Sequence, residues 1–167
     1  FWTEEIDGEA VRCKARIDYL KVRGCGDLKS GSNPKQIEFP IVCRSAFAER
    51  RMDMQAAHYM RGRSFLPALV EAGHVYGDHD PEWLAKVAAQ DEYGFAYVFF
   101  QSEGAPSVWA ASISPGNTIL ETGQTHREAA LIAYTYGLRT FGSEIWLRRE
   151  PIAEMDISDL PLWWGRR

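Results

Sequence analysis

The chain has 167 residues, of which 46% are apolar and 25% charged, enough to bury one core and too balanced for general disorder. Nineteen basic residues against 23 acidic ones leave a formal charge of −4, which excludes a wholly basic nucleic-acid coat but not a local basic groove. No apolar run reaches the ~18 residues of a membrane-spanning helix, so no membrane partner is expected.

The chain opens on Phe1-Trp2-Thr3-Glu4-Glu5, with no initiator Met and no secretory signal. It reads like strand interior, and the chain is expected to be a piece of a longer protein. Asp7-Gly8 between residues 1–6 and 9–20 is a strong hairpin signal. In the second arm Val11, Cys13, Ala15, Ile17 and Tyr19 alternate with Arg12, Lys14, Arg16 and Asp18. This predicts a half-buried strand whose polar face carries three cations and ends in a carboxylate. A turn near 22–24 leads to a third predicted strand over 25–30.

Gly31-Ser32-Asn33-Pro34 is a predicted loop, and 31–43 is otherwise unassigned. Residues 43–60, rich in Ala, Met and Arg, read as a helix. Arg44, Arg50, Arg51, Arg61 and Arg63 against Glu49 and Asp53 give the 44–63 window three net positive charges. A solvated helix face and a phosphate-facing patch both account for that. Asp80-Pro81-Glu82 is a helix start, Asp as cap and Pro in the first turn, with the helix running to about residue 90. Residues 93–101 form an apolar, aromatic strand, and 107–114 its partner, joined through Gly104-Ala105-Pro106. Thr125-x-x-Glu128 is a capping box ahead of Ala129, Ile132, Ala133 and Tyr136, predicting a helix from there to about 140. The tail ends in Leu162-Trp163-Trp164, whose tryptophans are expected to dock on the core or a neighbouring subunit. The order predicts one mixed α/β domain over 1–167, with helices flanking a central sheet. Cys13, Cys25 and Cys43 are odd in number and widely spaced, which favours buried free thiols in a reducing cytoplasm.

Asp27 and Lys29 lie two apart on a predicted strand, so both face one way while Leu28 enters the core. A hairpin between the neighbouring strands can bring Asp18 beside Asp27. Two carboxylates and an ammonium on one face suit a hard divalent cation that keeps several waters. Such a cation turns water into a nucleophile and neutralises charge on a phosphoryl oxygen. The lysine can orient that water, help remove its proton or stabilise transition-state charge. A surface ion pair is the plain alternative. Gln55 and Tyr59 form an i,i+4 pair on one helix face, where a turn-capping glutamine and a core tyrosine are equally ordinary.

Taken in order, Ala15-Arg16-Ile17-Asp18-Tyr19-Leu20, Gly26-Asp27-Leu28-Lys29-Ser30 and Met52-Asp53-Met54-Gln55-Ala56-Ala57-His58-Tyr59 resemble the PD-(D/E)xK nuclease superfamily. More closely, they resemble the RecE-type phage and prophage exonucleases, with an R-x-D, D-x-K-[ST] and Q-x-A-x-Y order. The resemblance implies a restriction-endonuclease-like core. It implies that Asp18, Asp27 and the Leu28 carbonyl hold Mg²⁺ or Mn²⁺ and that Lys29 acts on the attacking water. Gln55 would position Lys29 or DNA, and Tyr59 would support the helix. Arg16, Ser30, Arg50 and Arg51 would contact DNA, phosphate contacts positioning the duplex without reading sequence. The implied activity is 5′-to-3′ digestion of one strand at linear double-stranded DNA ends in a bacterial cytoplasm. The product, a 3′ single-stranded tail, would pass to a single-strand annealing protein, and the enzyme would form a homo-oligomeric ring. The family's N-terminal helices have no counterpart, so the front of the site is expected ahead of Phe1. Residues 62–92 read as an insertion-rich region.

A second enzyme reading is another nuclease of the superfamily, RecB-like or of CRISPR adaptation. The latter carries four cysteines for an iron–sulfur cluster, which three scattered ones do not supply. A third reading is a non-catalytic DNA-binding or assembly module. His74 and His79 fit a polar surface loop better than a metal site, His58 a packed histidine, and His126 carries no functional weight. Gly24-x-Gly26 lacks the rest of a phosphate loop, and no serine-hydrolase motif occurs.

Overall fold

The computed structural model describes residues 1–143 and 154–159. Asp7 and Gly8 take φ of 50° and 79°, the left-handed backbone of a two-residue hairpin turn. They join β1 (Trp2–Ile6) to β2 (Glu9–Cys13), with Ile6 opposite Glu9. This hairpin is a sheet of its own. The second sheet has four strands in the order β3-β4-β5-β6: β3 (Tyr19–Lys21), β4 (Gly24–Gly31), β5 (Gly94–Gln101) and β6 (Val108–Ile113). β4 and β5 run parallel and the outer pairs antiparallel, so the sheet is mixed. The predicted α/β class with a mixed central sheet holds.

The predicted long second arm does not hold as one strand. β2 ends at Cys13, and residues 14–18 belong to neither sheet. Burial still alternates through the break, with Val11 and Cys13 buried, Ala15 and Ile17 half-buried, and Arg12, Lys14 and Arg16 exposed. Extended backbone keeps a period of two without a strand beside it, so the pattern ran on where the ladder stopped. The Lys14 carbonyl accepts instead from His58 Nε2 at 3.0 Å.

A parallel β4–β5 pair needs a long crossover. Four helices lie in it: α1 (Phe39–Glu49), α2 (Met52–Ser64), α3 (Leu66–Glu71) and α4 (Pro81–Ala88). The single helix predicted over 43–60 is therefore two. Arg51 breaks it in the left-handed conformation, φ 52° and ψ 48°. That geometry costs a non-glycine residue about 1–2 kcal/mol. Two hydrogen bonds from Arg51 to Asp53, at 3.1 and 3.0 Å, offset it. α4 starts as predicted, Asp80 Oδ1 accepting from the Glu82 and Trp83 amides.

α5 (Thr118–Phe141) begins ahead of the predicted capping box. Asn117 is the cap, accepting from the Ile119 amide at 2.9 Å. Thr125 lies inside the helix and donates to the Glu121 carbonyl. The apolar residues Ala129, Ile132, Ala133 and Tyr136 are exposed, whereas Gly123, Arg127, Thr135 and Gly137 are buried. α5 thus docks through these small and polar residues together with Leu120 against the main core and Leu131 under the hairpin. Gly123 lets it close on α2, since a Cβ there would sit 2.2 Å from the Asp53 carbonyl oxygen.

The main core lies between α1, α2 and one face of the sheet, around Cys25, Phe39, Cys43, Ala56, Phe95 and Tyr97. The opposite face carries exposed Leu28, Phe100 and Val108. A smaller cluster of Trp2, Val11 and Cys13 sits under the hairpin. All three cysteines are buried free thiols, and burial raises the pKa of each. Trp163 and Trp164 lie outside the described residues.

Candidate functional site

β4 sends Cys25, Asp27 and Lys29 towards α1 and α2 and Leu28 and Ser30 to the other face. The expectation for Leu28 is therefore reversed: it is 53% exposed, while Asp27 is 3% exposed. The helices cover the side that carries the buried aromatic residues of β5, and Asp27 shares that side.

Asp27 is gripped from two directions. Gln55 Nε2, from α2, donates to its Oδ1 at 3.0 Å. Lys29, two residues along the same strand, forms an ion pair with Oδ2. That Oδ2 is buried, and the Lys29 ammonium is its one partner among the described residues. A carboxylate oxygen can accept more than once, so one ammonium leaves room for a further ligand.

Asp18 stands just before β3, exposed, and its Oδ2 accepts from the Leu28 amide at 2.9 Å. β3 begins at Tyr19, opposite Gly26, so the Asp18 carboxylate takes over the edge of β4 where the ladder ends. The N–H and C=O of an extended residue leave the strand on the same edge. The Leu28 carbonyl therefore shares its edge with Asp18. Two carboxylates and a carbonyl make an all-oxygen donor set, the kind Mg²⁺ takes while keeping waters. Among the described residues no group of three or more His, Cys, Asp or Glu side chains could hold a metal. A cation here would rely on Asp18, Asp27, the Leu28 carbonyl and solvent, and the buried Asp27 Oδ2 is the atom that fits it.

Tyr59, one turn beyond Gln55, packs its half-buried ring edge-on against Phe95 at 6.1 Å and supports α2 from the core side. The structure thus brings together Asp18, Asp27, Lys29 and Gln55, with Tyr59 behind them. Ser30 sits on the other face of β4, away from Asp27. Arg16 is exposed two residues before Asp18.

Beside α2 lies a groove of about 640 Å³ between β2, α2 and α5. Arg12, Lys14, Arg50, Arg51 and Arg127 line it over an apolar floor that includes Val11, Met54 and Leu131. Gln55 and Tyr59 border it, so the groove adjoins the acidic site. Arg50 is exposed there, whereas Arg51 is engaged with Asp53, which also meets His126 Nδ1 at 3.1 Å. Arg12 and Lys14 were legible as cations on one face of the alternating arm, but nothing local joins them to Arg50 and Arg127.

His58 is a packed residue. Its Nε2–H donates to Lys14 and its Nδ1 accepts from Arg127 Nε at 3.2 Å. Burial, helped by the Arg127 charge, lowers its pKa against the opposing pull of the Lys14 carbonyl and Glu4. His74 and His79 are exposed, and His79 Nδ1 donates to the Gly77 carbonyl. The sequence places Tyr97 in an apolar strand, and its hydroxyl reaches the site residues.

Comparison with family models, with curated proteins and with solved structures finds no match to this chain.

Proposed function

We propose that this chain is the core of a Mg²⁺-dependent DNA nuclease with a restriction-endonuclease-like arrangement. Within that class we infer a RecE-type exonuclease, acting 5′ to 3′ on linear duplex ends and leaving 3′ single-stranded tails. The observation that carries the reading is the buried Asp27, paired with Lys29 and bonded to Gln55 at 3.0 Å, beside Asp18 on the Leu28 amide. The motif order supports the finer assignment, and the cationic groove beside Gln55 and Tyr59 supplies a surface for phosphates.

In this reading Asp18, Asp27 and the Leu28 carbonyl would hold Mg²⁺, which would supply an activated water and neutralise charge on a phosphoryl oxygen. Gln55 keeps the Asp27 carboxylate oriented. Lys29 releases Asp27 Oδ2 and directs its ammonium to the attacking water or the developing charge. The water oxygen would bond to phosphorus and release a proton to solvent, the bond to the leaving oxygen would break, and the leaving oxygen would take up a proton from solvent. Arg12, Lys14 and Arg50 hold neighbouring phosphates without reading sequence. A single-strand annealing protein and a ring of identical subunits are the partners this reading expects.

The test incubates the full-length protein with linear duplex, nicked circular and single-stranded DNA, in Mg²⁺ or EDTA. Mg²⁺-dependent loss of linear duplex that disappears in Asp27→Ala is the expected result. Failure of the folded protein to cut any of the three overturns the enzyme reading. Duplex binding retained in that case identifies a non-catalytic DNA-binding module.

A further inference from the structure

Tyr97 of β5 is the register partner of Asp27 on β4. It is 1% exposed, so its hydroxyl must find partners inside the protein. Two acceptors lie in reach. The hydroxyl donates to the carbonyl of Met52, the first residue of α2, at 2.7 Å, and lies 3.3 Å from Gln55 Oε1. A phenol has one proton, so the Met52 carbonyl takes the stronger share and Gln55 the longer branch.

The consequence falls on the Gln55 amide. Its Nε2 donates to Asp27 while its Oε1 faces the tyrosine hydroxyl. A flipped amide would set its oxygen against the Asp27 carboxylate and lose that bond, although its N–H₂ could still donate to the phenol oxygen, which accepts as well as donates. The Asp27 contact therefore sets the amide's orientation, and the Tyr97 hydroxyl adds a longer bond to its oxygen. The same ring also lies under the neighbouring cation, with Lys29 Nζ 5.9 Å from its centroid, at the outer limit of a cation–π contact. Tyr97 thus reaches Gln55 with its hydroxyl and Lys29 with its ring, and ties the start of α2 to the centre of the sheet. Burial, together with the Asp27 charge, pushes the phenol far up, so it remains a donor at every working pH.

We propose that Tyr97 is a positioning residue of this site. Through Gln55 it fixes the Asp27 carboxylate for the metal, and its ring bounds the path of Lys29. The proposal rests on the metal-dependent nuclease reading above.

The experiment compares wild type, Tyr97→Phe, Gln55→Ala and the double variant, each shown to be folded by thermal melting. Tyr97→Phe keeps the ring and removes one neutral hydrogen-bonding group. It should lower kcat about fivefold, the worth of one such bond. The Mg²⁺ concentration for half-maximal rate should rise, and KM for linear duplex should stay unchanged. In the Gln55→Ala background the same substitution should do almost nothing, because the residue acts through that amide. An unchanged kcat in Tyr97→Phe overturns the assignment, and so does a full fivefold loss on top of Gln55→Ala. If wild type itself cuts no DNA, the nuclease reading fails. Tyr97 is then judged by the side-chain amide resonances of Gln55, and identical shifts and exchange in wild type and Tyr97→Phe overturn its positioning role.

Discussion

Two buried strand carboxylates in this chain have opposite surroundings. Glu4 on β1, 8% exposed, is closed by its own neighbours. The Trp2 indole donates to Oε1 at 2.7 Å, Arg127 joins the same oxygen, and Arg61 Nε reaches Oε2 at 3.1 Å. Burial would raise its pKa, but bonds from Trp2 and Arg61 and the charges of Arg127 and Arg61 outweigh it and hold the carboxyl below its usual range. Asp27 on β4 has one oxygen bonded to Gln55 and the other paired with the Lys29 ammonium. A carboxylate held on both oxygens by three donors from three elements staples the fold. One with a single partner on each oxygen keeps room for a further ligand. On the nuclease reading proposed above, that contrast assigns the chemistry to β4 and a structural role to Glu4 on β1.

The contrast breaks if the two residues fail to exchange roles on substitution. Asp27→Asn should abolish cleavage, by about a thousandfold or more, the scale of losing a residue acting in the reaction itself. Its melting temperature should stay within about 4 °C of wild type, the equivalent of roughly 1 kcal/mol for a chain of this size. Glu4→Gln should do the reverse. A glutamine there can still accept from Trp2, but its N–H₂ must face an arginine donor. Arg127, 4% exposed in its side chain, is left without its counter-charge. Stripping one partner from a buried pair costs about 3 kcal/mol, or a fall of about 10 °C in the melt. Cleavage per folded molecule should survive. Melting curves and initial rates on both variants decide the matter. A Glu4→Gln that melts like wild type, or an Asp27→Asn that unfolds, removes the distinction.

Much of this contrast was legible along the chain, and what was not has local reasons. The Asp7-Gly8 turn, the D-x-K spacing, the Asp80-Pro81 helix start and the mixed α/β order all depend on neighbours in sequence, and each stands. Arg51 breaks α1 from α2 without Gly or Pro, because a side-chain pair with Asp53 stabilises the left-handed residue, and no propensity records that. The alternation through 14–18 persisted in burial after the strand partner was gone. The side to which Leu28 points depends on which face α1 and α2 cover, a fact of tertiary packing. The three partners of Glu4 are drawn from β1, α2 and α5, and no spacing in the chain announces them. Tyr97 is hidden for the opposite reason: in an apolar run its ring accounts for its place, and nothing local says what its hydroxyl meets.

The next largest effect should come from the seam that joins the two regions. Gly123 on α5 abuts the first turn of α2, where a Cβ would lie 2.2 Å from the Asp53 carbonyl oxygen and 2.5 Å from its carbon. These are backbone atoms and cannot swing aside. Gly123→Ala should therefore part the helices, at a cost of about 2 kcal/mol typical of overpacking. Because α2 also carries Gln55 towards Asp27, cleavage should weaken as well, unlike in Glu4→Gln. Melting and rate measured together test this. A stable, fully active Gly123→Ala would show that the α2–α5 seam does not govern the acidic site.

The smallest effect is a pH dependence on the Glu4 side of the molecule. His58 is held neutral, with Nδ1 accepting from Arg127 and Nε2–H donating to the Lys14 carbonyl. Protonating Nδ1 would set a second donor and a second positive charge against Arg127. Burial and that charge lower the folded pKa, while Lys14 and Glu4 oppose them. The unfolded chain then binds the proton more readily than the folded one. The contribution of His58 to stability is full above its ordinary pKa of about 6.5 and is lost as pH falls through that value to the lower folded one. Glu4 also has a lowered pKa, but its contribution begins to fall only near the ordinary carboxyl value of 4.5, so the two windows separate. Between pH 7.5 and 5.5 wild type should lose more melting temperature than His58→Gln, by less than the whole effect of Glu4→Gln. Parallel melting profiles for the two proteins would mean that His58 carries no linked proton, and a steeper profile in the variant would reverse the sign argued here.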